Sequence, residues 1–222
     1  MNDKIKKIRK LLKYKIIYYP IAKCGSTYTD NLLGNYIFNT TNIDRWNRSN
    51  FFKFTVVRNP IGRTISMYNF IMGQDSMLKE LSIWGFYKNM PFDLFLDCID
   101  NSLYLIKNDR HLITQVKSIS TSKGNVDIDK FIKLEEIHKL PVMIKSLIGI
   151  DINDSKKVNV SNKLIGIDNL TTDNILKIEE IYKEDFDFFG YEKLSSKVEK
   201  KIVARQVDPR YGELPQSATS KQ

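Results

Sequence analysis

The chain is poor in the residues that staple small folds or bind metals. Two cysteines in 222 residues cannot build a disulfide framework. Two histidines beside them leave no His/Cys cluster for a zinc ion, so no metal is expected. No stretch is long and apolar enough to cross a bilayer. Negative charge is scarce: 26 Asp and Glu stand against 35 Lys and Arg, a net +9. The Walker A pattern G-x-x-x-x-G-K-[ST] is absent. So are the signatures of RNP and zinc-finger modules, and no nucleic-acid partner is expected.

What is present bounds the answer further. A basic balance suits anionic ligands, such as nucleotide phosphates, an acidic glycan or a membrane face, and equally a solvated lysine surface. With 42% hydrophobic residues the chain can bury a proper core. A single domain over 1–204 is expected. From Arg205 the composition shifts to Pro, Gly, Gln, Ser and Ala, and 205–222 reads as a flexible tail that also fits an appended segment. Met1 to Lys15 carries Ile5, Ile8, Leu11 and Leu12 at helical spacing among lysines. It reads as a short amphipathic helix able to touch an anionic membrane. Lysines interrupt its apolar run, so it is a poor secretory signal, and a cytoplasmic, bacterial protein is the expectation. The sequons at Asn39 and Asn159 then carry little weight.

The organising stretch is Ile16 to Leu33. Ile16, Ile17, Tyr18 and Tyr19 form a β-prone run that Pro20 ends, and Leu32, Leu33, Tyr36 and Ile37 then recur at helical spacing. Between them lies Lys23-Cys24-Gly25-Ser26-Thr27. A Gly-Ser-Thr turn opening a helix leaves backbone N–H groups pointing out of the positive end of the helix dipole, a cradle for a tetrahedral anion. Lys23 adds a mobile positive charge. The same pattern also fits an ordinary β-to-α turn with a Ser/Thr cap.

A second stretch repeats the arrangement. Phe51 to Val57 reads as a strand and runs into Arg58-Asn59-Pro60-Ile61-Gly62-Arg63, then a helical segment with Ile65, Met67, Tyr68, Phe70 and Ile71. Pro60 suits a helix start, where its missing N–H is not needed. Arg58 and Ser66 can converge on one phosphate, the guanidinium through forked donors and the hydroxyl through another. Surface salt bridging is the other reading of Arg58 and Arg63.

Together these residues resemble the PAPS-dependent sulfotransferases, most closely the carbohydrate-type sulfotransferase family 2 group. Ala22-Lys23-Cys24-Gly25-Ser26-Thr27 is similar to the family's P-K-C-G-S-T loop, with Ala22 where Pro is usual. The resemblance implies that Lys23, Cys24, Gly25, Ser26 and Thr27 hold the 5′-phosphosulfate of PAPS, Cys24 through loop geometry. Arg58 to Tyr68 is similar to the family's R-x-P-x-x-R-x-x-S-x-Y, which implies that Arg58 and Ser66 hold the 3′-phosphate. Weaker echoes follow at Asp109 to Gln115, Ile132 to Glu135, Asn159 to Ser161 and Tyr182 to Tyr191. The family's H-x-x-x-Q segment usually carries Pro before Gln, where Thr114 stands here.

The implied activity moves a sulfonate from PAPS to an acceptor hydroxyl on a carbohydrate, releasing PAP. Lys23 would stabilise charge on the departing oxygen. His111 is the candidate general base, with Asp44 and Glu80 as alternatives. A P-loop kinase or NTPase, a basic nucleic-acid-binding protein and a non-catalytic nucleotide-binding module are the rival readings.

The remaining pattern predicts an α/β class: a three-layer, P-loop-like fold whose central, mainly parallel sheet is flanked by helices. Ligands in such folds bind at the carboxyl ends of strands, where both motifs fall. Gly73 to Met90 reads as irregular, either a substrate-facing loop or an excursion anchored by Trp84. Pro91 to Lys107 reads as a helix with an apolar stripe, and Ser118 to Asp127 as a turn or loop. Asp129 to Leu134 reads as a strand, and Glu135 to Ile148 and Thr171 to Lys183 as helices. Asn153 to Ser161 reads as irregular and, with the His111 loop, as a place where the acceptor is chosen. The aromatics of Asp185 to Tyr191 are expected to pack the C-terminal end onto the body.

Overall fold

Residues 14–33, 38–39, 50–102, 108–149, 151–152 and 164–196 are described by the computed structural model. The amphipathic N-terminus to residue 13, Asp44, residues 153–161 and the 205–222 tail lie outside them. The chain divides into two units, Met1–Tyr191 and Glu192–Gln222. Of the second, residues 192–196 are described and hold a helical turn at 194–196.

The first unit is built on a sheet of four parallel strands. They are β1 (Ile16–Tyr19), β2 (Phe38–Asn39), β3 (Phe52–Val57) and β4 (Lys130–Lys133), in the order β2-β1-β3-β4. Ile16 lies opposite Phe52, Tyr19 opposite Thr55, and Phe54 opposite Lys130. All of β1 and all but the first residue of β3 are buried, as central strands covered on both faces must be. Alternation then sorts their side chains into two cores. Ile17, Tyr19 and Val57 join Val116, Ile119 and Phe189 on one face. Ile16, Tyr18, Phe54 and Val56 join Leu33, Leu140 and Ile144 on the other. Two helical layers on one parallel sheet give the expected three-layer α/β architecture.

The helices are α1 (Ser26–Leu33), α2 (Pro60–Met72), α3 (Asp75–Leu81), α4 (Phe92–Asp100), α5 (Gln115–Ser118), α6 (Lys139–Ile148), α7 (Thr172–Ile181) and α8 (Lys183–Phe189). Local chemistry fixes the ends of two of them. The Asn59 side chain accepts the Ile61 N–H at 3.0 Å and Pro60 occupies the first turn of α2. The Thr171 hydroxyl accepts the Asn174 N–H at 3.1 Å to open α7.

Several boundaries depart from the sequence reading. Helix α1 is described over Ser26–Leu33, Tyr36 and Ile37 fall outside the described residues, and the short edge strand β2 is an element the sequence reading did not include. Residues 73–90 are not irregular throughout. Asp75 favours the start of α3 electrostatically, Leu78 and Leu81 bury one face of it, and a 3-10 turn at Ser82–Trp84 follows. The stretch expected to be a helix to Lys107 is helical over Phe92–Asp100, and 103–107 lie outside the described residues. The helix expected from Glu135 is a 3-10 turn, Leu134–Glu136, followed by α6. Of the aromatics of 185–191, Phe186, Phe188 and Phe189 sit on a helix, where the three-residue spacing of Phe186 and Phe189 buries both.

Candidate active site

Two strand ends meet at the site. After β1 the backbone makes a tight reversal: the Cys24 N–H donates to the Ile21 carbonyl at 3.3 Å, and Lys23 and Gly25 adopt φ of 67° and 77°. Glycine is needed at position 25. A Cβ there would also lie 2.7 Å from Cδ1 of Leu134. Helix α1 starts at once, so its first N–H groups have no carbonyl one turn earlier to receive them. Both the N–H and the hydroxyl of Thr29 return to the Gly25 carbonyl, at 3.0 and 3.2 Å, and lock that first turn.

After β3, Arg58 leaves the sheet beside this turn. Its Nη1 donates to the Lys23 carbonyl at 3.3 Å. Gly62 gives its guanidinium room, since a Cβ on Gly62 would lie 3.3 Å from Arg58 Nε. Arg63, one turn into α2, is only 1% exposed. Its Nε donates to the Ala22 carbonyl at 3.2 Å and its Nη2 to the His111 carbonyl at 3.1 Å. The second arginine of the motif is therefore a brace under both loops.

These corners open on a cleft of about 1150 Å³. Lys23, Gly25, Ser26, Thr27, Arg58, Ser66 and His111 all line it. Single-ligand pockets run to roughly 1,000 Å³, so this one has room for more than one small molecule. Its charged lining is Lys23, Arg58, Arg110 and Lys117, and no Asp or Glu is among the described residues that line it. Lys23 Nζ sits 4.1 Å from the centre of the Phe70 ring. Burial, and then the nearby Arg58 guanidinium, hold its ammonium below the usual lysine value.

The other sequence-derived candidates fall elsewhere. The Cys24 side chain does not line the cleft. It is fully buried, donates to Gln115 Oε1 at 3.1 Å, and burial pushes its thiol up to about 12. Glu80 lies exposed on α3, and none of residues 73–90 lines this cleft. Thr114, where the family motif usually has Pro, has φ −60°, the value a proline would impose, and its hydroxyl accepts the Lys117 N–H to open α5. Among the described residues no group of three or more His, Cys, Asp or Glu forms a metal site. No described helix is long and apolar enough to cross a membrane.

Three supporting residues went unread in the sequence. Gln115 accepts the Arg58 N–H at 2.9 Å and returns its Nε2 to the Arg58 carbonyl at 2.9 Å, so it pins the end of β3. Asp185 accepts the N–H groups of Gln115 and Val116, each at 2.9 Å, and holds α5 in turn. Asn69 on α2 exchanges bonds with Leu164 and Ile165 at 3.0–3.1 Å and brings that segment to the cleft wall. Gln115 lay inside a quoted motif. Asp185 and Asn69 bind across 70 and 95 residues, a separation that no local pattern reports.

The profile of the sulfotransferase family matches residues 11–192. No significant match is found among curated proteins or among solved structures.

Proposed function

This chain belongs to the sulfotransferase family, and from that premise we propose that it moves a sulfonate from PAPS to a hydroxyl of a carbohydrate acceptor and releases PAP. The observation that carries the reading is the Arg58 guanidinium lying 3.3 Å from the Lys23 carbonyl, which joins two anion-binding corners into one rim. The residues present fit the donor. The N-terminal end of α1 at Ser26 and Thr27, with Lys23, suits its 5′ end. Arg58 and Ser66, both on the cleft, suit its 3′-phosphate. A lining with four cations and no described carboxylate matches a ligand that carries several negative charges.

The donor supplies the activated sulfonate, and the chain supplies orientation and charge. The turn at 23–27 fixes the group that departs, and Lys23 neutralises charge that develops there. His111 takes the acceptor proton. Lys23 is half-buried against Phe70 of α2, so its field is screened less than that of a fully exposed lysine.

The test is a thermal-shift titration with PAP, ATP and AMP, repeated on Arg58→Ala. A ligand that binds only the folded state raises the melting temperature in a concentration-dependent way, more for a tighter ligand at equal concentration. PAP is expected to stabilise far more than AMP or ATP, and Arg58→Ala to remove that preference. ATP matching PAP would reopen the kinase reading, and no response to any of the three would remove the basis of the proposal.

A further inference from the structure

We infer that Asp109 is the positioning residue of the site, holding His111 in the tautomer that turns its Nε2 lone pair to the cleft. The inference rests on the reading of His111 as proton acceptor. His111 is buried to 8% exposure, yet it lines the cleft and packs its ring against Phe70 at 5.4 Å. Its Nδ1 is buried without a hydrogen-bond partner, and the carboxylate oxygen Oδ1 of Asp109 stands 3.6 Å away. That is longer than a formed hydrogen bond. In ligand-free sites such contacts shorten when the site fills.

The carboxylate is not there by accident of a loose side chain. Oδ1 accepts the His111 N–H at 2.8 Å and the Leu112 N–H at 3.1 Å, which fixes it beside the ring. Arg63 holds the His111 carbonyl from below, and the Tyr182 hydroxyl holds the Leu112 carbonyl at 3.0 Å. Burial opposes ionisation of Asp109, but its contacts to the His111 side chain and to the backbone N–H groups hold the carboxyl below its usual value. A charged acceptor facing Nδ1 selects the Nδ1–H form, because the other form would aim a lone pair at a carboxylate.

The consequence for the transfer is direct. As the acceptor oxygen bonds to sulfur and the sulfur–oxygen bond to the departing nucleotide breaks, the electron pair leaves with the nucleotide. The hydroxyl proton passes to Nε2 of His111. The imidazolium that forms is paired with the Asp109 carboxylate, and Asp109 keeps its charge throughout.

The chain has two histidines, so imidazole nitrogen resonances in the ¹⁵N-labelled protein can be assigned with a His138→Gln variant; His138 is exposed on another element. With and without PAP, neutral His111 is expected as the Nδ1–H tautomer, the opposite of the preference of free imidazole side chains. Asp109→Asn is expected to shift the population toward Nε2–H, while Asp109→Glu keeps Nδ1–H. An Nε2–H tautomer in the unmodified protein overturns the inference, and that measurement needs no variant to fold. An Asp109→Asn protein whose tautomer does not change overturns it as well. Failure of PAP to bind would count against the proposed function, yet the tautomer in the free protein would still decide the role of Asp109.

Discussion

The Gln115 side chain accepts the Cys24 thiol at 3.1 Å through the same Oε1 that accepts the Arg58 N–H at 2.9 Å. One amide therefore spans both ligand-facing turns from beneath. Gln115→Leu keeps the volume but leaves the buried Arg58 N–H and carbonyl without partners. With the Cys24 thiol also losing its acceptor, three hydrogen bonds go, two of them to backbone groups, and the expected cost is roughly 2–4 kcal/mol. Denaturant unfolding would show a lower midpoint at unchanged slope. PAP stabilisation should fall too, because Arg58 is no longer anchored.

Cys24 is expected to be chemically silent. Its thiol is fully buried and raised to about 12, with desolvation the leading cause. Cys98 on α4 is also raised by burial but is only half-buried. Mass spectrometry after iodoacetamide treatment near neutral pH should find Cys98 labelled first and Cys24 labelled only after denaturation. Rapid native labelling of Cys24 would mean that the turn opens in solution.

The two glycines of the site should respond in opposite directions. Gly25→Ala forces a side chain into φ 77° and against Leu134 at 2.7 Å. A loss of about 1–2 kcal/mol from the left-handed backbone alone is expected. Adding Leu134→Ala should relieve the clash but not that strain. Gly62→Ala lies inside α2, where alanine stabilises a helix by about 0.5–1 kcal/mol. Its methyl, 3.3 Å from Arg58 Nε, displaces the guanidinium. The Gly62→Ala protein should be at least as stable as the original and bind PAP more weakly, which separates Arg58's ligand role from any structural one.

The parts of the fold legible in the sequence were those set by local chemistry. The apolar run Ile16–Tyr19 and the β-prone stretch Phe51 to Val57 announced strands, and Pro60 and Thr171 announced helix starts. Strand β2 was not legible, because two residues at a sheet edge carry no period. Helix α3 was hidden by its shortness: Leu78 and Leu81 are a single turn of pattern. In the site, Lys23, Ser26, Thr27, Arg58 and Ser66 were nominated by spacing and do share one cleft. The burial of Arg63 and the inward turn of Cys24 were not readable, since both follow from packing against loops more than 40 residues away.

Lys23 gives the site a defined pH dependence. Burial first, and then Arg58, keep its ammonium below the usual lysine value in the free protein. A phosphate arriving beside it favours the charged form and raises that value again. Binding PAP therefore takes up a proton in the interval between the two. The sign follows: affinity is full where Lys23 is already charged and falls as pH rises through its lowered free-state value, earlier than an ordinary lysine would allow. Titration calorimetry in two buffers of different ionisation heat should report net proton uptake at alkaline pH, and Lys23→Met should abolish it. The same depression has a cost in the empty protein. A group whose charged form is disfavoured by folding subtracts stability below its folded value, and that deficit shrinks as pH rises toward the unfolded one. Lys23→Met should therefore raise the melting temperature of the ligand-free protein at neutral pH while lowering its response to PAP. A variant that loses both stability and PAP response would show that the Lys23 chain, stacked 4.1 Å over Phe70, matters for packing more than for charge.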